Sequence, residues 1–203
     1  MKRLPNILTL SRIPLLFVIV GLLCLNRPAT DAAAFVIFLL AAGSDWLDGY
    51  IARKVGAVSN FGKLMDALTD KIIMVGLFVA LLGLNWNGDP AETILPRELS
   101  VFCVIIIICR EFLITGLRLV AASNGVVLAA ERAGKLKTAL QMLSVSLLLC
   151  AQTLAGGLFA GTPLEAGACL VREIGLWAFY GAVALTIYSG TGYIIRNWRI
   201  LNL

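Results

Sequence analysis

The chain has 203 residues, of which 60% are hydrophobic and only 14% charged, with a mean hydropathy of +0.91. Soluble domains carry about 25% charged residues, so this composition excludes a water-soluble globule and predicts an all-α, polytopic integral membrane protein. The net charge of +5 then reads as basic loops beside anionic lipid headgroups, not as a nucleic-acid surface.

In chain order, Pro5 and the mixed segment 4–11 predict a short N-terminal interfacial helix. Six apolar runs follow, at about 12–25, 31–53, 61–85, 98–122, 134–156 and 173–195, and each predicts a transmembrane helix. The start of the chain has the look of a signal peptide, but no small-x-small cleavage site directly follows its apolar run, so it reads as a retained first span. The breaks "NRPATD", "KVGAVSN", "NWNGDPAETILPRE", "SNGVVLAAERAG" and "GGLFAGTPLEAGA" are all rich in turn residues. Without repeats or a polar second domain, residues 1–203 read as a single membrane domain. Most basic residues, from Lys2 and Arg3 through Arg53, Lys54 and Lys63 to Arg196 and Arg199, fall on one side. Arg27, Arg97 and Arg172 fall on the other, with Asp89, Glu92 and Glu165. The positive-inside rule then places both termini in the cytoplasm.

Cys24, Cys103, Cys109, Cys150 and Cys169 show no paired spacing and sit mostly in apolar segments, which points to packing rather than disulfides or zinc. There is no histidine, so catalysis would have to run on carboxylates, lysine or arginine.

Against this background, "SDWLDGYIARKVGAVSNFGKLMDALTDK" at 44–71 stands out, because it places four aspartates at the ends of two predicted spans. Asp45 and Asp48 are three residues apart and Asp66 and Asp70 four apart, so each pair shares a helix face. Four oxygen donors without histidine or thiolate suit Mg²⁺ or Mn²⁺ rather than zinc, and bound cations would offset the repulsion among close carboxylates. The bland alternative pairs some of these aspartates with Arg53, Lys63 and Lys71. Gly49 and Gly62 stand where a side chain would crowd a ligand, or where two helices pack closely. Arg53 is placed either to meet a phosphate or to snorkel.

Asp45-x-x-Asp48-Gly49-x-x-Ala52-Arg53, eight residues, then Gly62-x-x-x-Asp66-x-x-x-Asp70 resembles the signature of the CDP-alcohol phosphotransferases, with every fixed position present. That resemblance implies six transmembrane helices, usually in a homodimer, with a polar cavity open to the cytoplasmic face of the cell membrane. In the implied reaction an alcohol attacks the lipid-side phosphate of a CDP-linked lipid and CMP leaves. Carried over by position, Asp45, Asp48, Asp66 and Asp70 hold two divalent ions and Asp70 doubles as the base. Gly49, Ala52, Arg53, Ser59 and Gly62 line the CDP-lipid site, and Asn6 and Thr9 either reach the nucleotide or cap the first span. Spacing alone leaves Asp70 as base, ligand or both.

Within the family, "LPNILTLSRIPL" at 4–15, "CREFLITGLR" at 109–118 and "GKLKTALQM" at 134–142 resemble the branch that makes phosphatidylglycerophosphate from CDP-diacylglycerol and glycerol 3-phosphate. Arg110, Glu111, Thr115 and Arg118 fall within about a 140° arc of one helix. Arg132, Lys135 and Lys137 begin the next. Such cations suit an acceptor that carries its own phosphate; the alternative is an ion-pair set around Glu111 with lysines that only obey the positive-inside rule. The rival functions are sister enzymes with serine, inositol phosphate or phosphatidylglycerol as acceptor, a divalent-cation channel or transporter, and a prenyltransferase. The last is disfavoured because its aspartate motifs would lie on well-separated helices.

Overall fold

The computed structural model describes residues 4–55, 60–123 and 132–201, with side chains described at 12–43, 68–69, 71–123 and 133–197. Six long helices dominate: α1 (Leu4–Cys24), α2 (Pro28–Val55), α3 (Asn60–Gly83), α4 (Arg97–Ser123), α5 (Arg132–Ala155) and α7 (Ala168–Leu201). A one-turn helix, α6 (Pro163–Ala166), precedes the last of them, and a small hairpin of β1 (Asn85–Trp86) and β2 (Asp89–Thr93) joins α3 to α4. The apolar stretches Arg97–Ser123, Ala133–Ala155 and Pro163–Asn197 are long enough to cross a bilayer, and shorter ones occupy Arg12–Cys24, Pro28–Gly43 and Lys71–Gly83.

The core follows helical periodicity. Met74, Leu77, Phe78 and Leu81 bury one face of α3, and Val145, Leu148 and Leu149 one face of α5. Leu176, Phe179 and Val183 do the same on α7. The most extensive pairing is α5 with α7, while α1 packs on α2 and α3, α4 on α7 and α3, and α2 on α5. Phe78 meets Phe179 with ring centroids 5.1 Å apart, joining α3 to α7. On the outside, Phe17, Phe102, Trp177 and Ile195 are exposed, as expected of a surface meant for lipid tails.

One end of the bundle is tied by polar contacts. Asp31, in the first turn of α2, is 3% exposed, and its carboxylate accepts from Gln152 Nε2 on α5 at 3.3 Å. The Gln152 Oε1 in turn accepts from the Asn87 backbone N–H in the hairpin turn at 3.2 Å. Arg172 of α7 donates to the Thr93 carbonyl at 2.8 Å, pairs with Glu92 at 3.1 Å and lies 4.5 Å over the Trp86 ring. A recess of about 350 Å³, lined by Trp86, Asp89, Glu92, Cys169 and Arg172, opens at this end.

Two expectations need correction. The separate interfacial helix at 4–11 is continuous with the first span, as α1 runs unbroken through Pro14. Pro5 stands in the first helical turn, where its missing N–H has no intrahelical partner to lose, so it starts this helix rather than dividing it. The molecule is mostly helical, consistent with the all-α membrane class, and the segment after α3 adds one small antiparallel hairpin. Asn87 and Gly88 form its turn with φ of 49° and 76°, the left-handed pair that matches strand twist. Finally, α7 begins at Ala168 and reaches Leu201, beyond the expected 173–195 at both ends.

Candidate active site

The signature residues lie on two helices joined by a short connection. Asp45, Asp48, Gly49, Ala52 and Arg53 fall in the last three turns of α2, and Gly62, Asp66 and Asp70 in the first three turns of α3. Helical backbone at both aspartate pairs makes the three- and four-residue spacings into shared faces. The side chains of these residues, and those of Asn6 and Thr9 on α1 and Arg132 at the start of α5, are outside the described ones; Ser59 lies outside the described residues altogether.

Directly after Asp70, Lys71 links α3 to α4: its Nζ donates to Thr115 Oγ1. The Thr115 hydroxyl donates in turn to the Glu111 carbonyl at 2.6 Å. Glu111, 6% exposed, is the centre of a buried charged group. Lys137 of α5, 2% exposed, donates its Nζ to Glu111 Oε1, and Arg110 Nη1 approaches the same oxygen at 3.4 Å. Arg110 Nη2 also donates to Ser189 Oγ of α7 at 3.1 Å. Lys71, Arg110 and Lys137 against Glu111 leave these four side chains with a net charge of 3 − 1 = +2.

Local sequence explains how an arginine is held between helices. A Cβ at Gly190 would lie 3.0 Å from Arg110 Cγ, and one at Gly134 would lie 3.9 Å from Arg110 Nη2. Glycine on α7 therefore gives the guanidinium stem its room. Two donors in the neighbourhood stay unmatched: Arg110 Nε and Gln141 Nε2 are buried without an acceptor among the described residues. Gln141 stands one turn after Lys137 on α5 and is 3% exposed. A buried donor left unmade costs about 1–3 kcal/mol, and an anionic ligand would satisfy it.

The structure thus brings Arg110 and Lys137 together and gives Arg118 and Lys135 other surroundings. Arg118 donates Nε to Tyr193 OH at 3.2 Å and lies 5.3 Å from that ring's centroid, nearer the end of α4. Lys135 is exposed. Lys71 and Ser189 join the group by direct contact without having been singled out as site residues by motif. Only Lys71 carried a usable signal, its place beside Asp70.

The family model for CDP-alcohol phosphatidyltransferase matches residues 2–188. A CDP-diacylglycerol–glycerol-3-phosphate 3-phosphatidyltransferase of Bacillus subtilis (strain 168) is 36% identical, over 99% of this chain and 98% of its own length. A protein of the same description from Rickettsia typhi is also 36% identical, over 95% and 96%. A cardiolipin synthase (CMP-forming) of Oryza sativa subsp. japonica is 33% identical over 98% of this chain, which spans 58% of that longer relative. With the whole signature in place on α2 and α3 and a family match over nearly its entire length, the chain belongs to the CDP-alcohol phosphatidyltransferase family.

Proposed function

We propose that this protein transfers the phosphatidyl group of CDP-diacylglycerol to glycerol 3-phosphate, giving phosphatidylglycerophosphate and CMP. The observation that carries the choice of acceptor is the buried Arg110–Lys137 pair around Glu111, with two unmatched donors beside it, on helices that pack against the one bearing Asp70. A phosphorylated acceptor needs such a site, whereas serine would leave an excess of buried positive charge. The printed descriptions of the Bacillus and Rickettsia relatives name this same reaction. The Oryza relative, described as a cardiolipin synthase, shows that acceptors differ among similar chains.

The donor set at the signature fits a hard divalent cation, four carboxylates in a chain without histidine. Asp45, Asp48, Asp66 and Asp70 would hold two Mg²⁺ or Mn²⁺ ions, which when bound would neutralise the pyrophosphate and stabilise departing CMP. The remaining work falls to the chain's own residues. Arg53, with the space left by Gly49, Ala52 and Gly62, receives the CDP group, and Asn6, Thr9 and Ser59 border it. Arg110 and Lys137 hold the acceptor phosphate so that the free hydroxyl at the other end of glycerol 3-phosphate points to the lipid-side phosphorus. Asp70 takes the hydroxyl proton as the new O–P bond forms and the bond to CMP breaks. Lys71, Arg118, Arg132 and Lys135 add to the positive field that draws in a dianion.

The same reading has six helices crossing the cell membrane with both termini and the site in the cytoplasm. Its support is charge: Arg118, Lys135, Lys137 and Arg196 gather at the site end, while Asp31, Asp89, Glu92 and Glu165 mark the other. The family resemblance also supports a homodimer. The deciding experiment is CMP release by the purified protein with CDP-diacylglycerol and a panel of acceptors, with and without EDTA. Glycerol 3-phosphate should be used at least tenfold better than serine, inositol phosphate or phosphatidylglycerol, and EDTA should abolish turnover. Preference for another acceptor would overturn the assignment.

A further inference from the structure

We infer that Glu111 is a positioning residue, which fixes the Lys137 ammonium and the Arg110 guanidinium as a preformed receptor for the acceptor phosphate; this inference rests on the acceptor reading just given. A lysine and an arginine brought into one buried space repel each other and would otherwise turn toward water. Here both approach a single oxygen, Glu111 Oε1, with Lys137 2% exposed and the carboxylate residue 6% exposed. The carboxylate therefore holds both cations without neutralising both, and one unit of positive charge is left over for a ligand.

Glu111 is also linked through its backbone to Lys71. Its carbonyl accepts from Thr115 Oγ1 at 2.6 Å, and that hydroxyl accepts from Lys71 beside Asp70. Arg110 is held from the opposite side by Ser189 Oγ at 3.1 Å and by the close approach of Gly190. With its Nη atoms so engaged, the Arg110 Nε remains a buried donor without an acceptor among the described residues, as does Gln141 Nε2. Acceptor phosphate oxygens would satisfy the Arg110 donor, and Gln141 stands one helical turn after Lys137 to offer a second.

The test is a cycle of Glu111→Gln, Lys137→Met and the double variant, with Glu111→Asp as the conservative control. For each, KM for glycerol 3-phosphate, KM for CDP-diacylglycerol, kcat and melting temperature in detergent are measured. Glu111→Gln should raise the glycerol 3-phosphate KM by tenfold or more and leave the CDP-diacylglycerol KM within twofold, and Glu111→Asp should recover part of the loss. Because Glu111 acts through Lys137 as well as Arg110, the double variant should lose less than the product of the two single losses. Should Glu111→Gln alone fail to fold, the double variant, which removes both charges, still gives the comparison. Losses that multiply in the double variant, or a fall in melting temperature with both KM values normal, would overturn the positioning role. An altered glycerol 3-phosphate KM in Lys137→Met with a normal one in Glu111→Gln would overturn it while leaving the acceptor reading intact. A normal KM in Lys137→Met would remove the acceptor reading at this cluster and the inference with it.

Discussion

Lys135 and Lys137 are two residues apart on α5, so they point about 200° apart around the helix. Both were expected at the acceptor, yet one is exposed and the other buried against Glu111. The angular argument is legible in the sequence once α5 is known to begin at Arg132; which of the two faces inward is not, because that depends on the rotation of α5 against α4 and α7. The aspartates differ in this respect. Their spacing puts each pair on one face whatever the rotation, and intramembrane carboxylates are costly enough to mark a functional site on their own. At Asp70 the base and ligand roles separate by measurement. As the base, Asp70→Asn should lower kcat by roughly 10²–10⁴-fold and leave the CDP-diacylglycerol KM little changed, since the amide keeps the shape but cannot accept the proton. Asn at Asp45, Asp48 or Asp66 should instead raise the divalent-ion concentration needed for half-maximal rate. A normal saturated rate for Asp70→Asn with weakened metal dependence would make it a ligand only.

Two contacts of α7 show how one helix serves both packing and chemistry. At Gly175, a Cβ would lie 3.1 Å from Leu148 Cγ and Cδ2, and the Gly175 carbonyl accepts from Ser144 Oγ at 2.9 Å. At Gly190, four turns later, the crowded neighbour is the stem of Arg110. Overpacking a close helix crossing costs roughly 1–3 kcal/mol, so Gly175→Val should lower the melting temperature in detergent and leave both KM values unchanged. Gly190→Val should push Arg110 from its place and raise the glycerol 3-phosphate KM roughly tenfold or more, a loss of about 1.4 kcal/mol in a charge-assisted contact. The opposite pattern would exchange the two roles. Neither glycine stands out in the sequence, where many glycines sit in apolar runs. The reason is general to membrane bundles: lipid-facing and core-facing sides are both apolar, so periodicity gives the existence of a helix but a poor signal for its inward face. Polar interruptions are more informative, and the one clear local signal that composition hides is Asn87-Gly88, whose two left-handed residues make the hairpin.

At the scale of the molecule, the two ends of the bundle carry different chemistry. Asp31, Gln152, Asn87, Trp86 and Arg172 lock the hairpin to α2, α5 and α7 at one end. Lys71, Arg110, Glu111 and Lys137 gather near the aspartate-bearing ends of α2 and α3 at the other. A soluble CDP group is not required to enter the membrane's far side, and glycerol 3-phosphate is a charged solute, so only one end needs access to substrate. In the proposed reading, the excess of basic residues at that end would orient it to the cytoplasm. Cysteines report this directly. Cys169 is exposed, at the start of α7, and lines the recess beside Trp86 and Arg172 at the end away from the site. Asn197, near the end of α7, is about 28 residues further along the same helix, roughly 42 Å away at 1.5 Å per residue. That is longer than a hydrocarbon core of about 30 Å, so the two positions should lie on opposite sides of the membrane. In right-side-out vesicles, a protein keeping only Cys169 should react with a membrane-impermeant maleimide, while one carrying only Asn197→Cys should react after permeabilisation alone. The reverse pattern would invert the orientation. Reaction of both without permeabilisation would show that α7 does not cross the membrane.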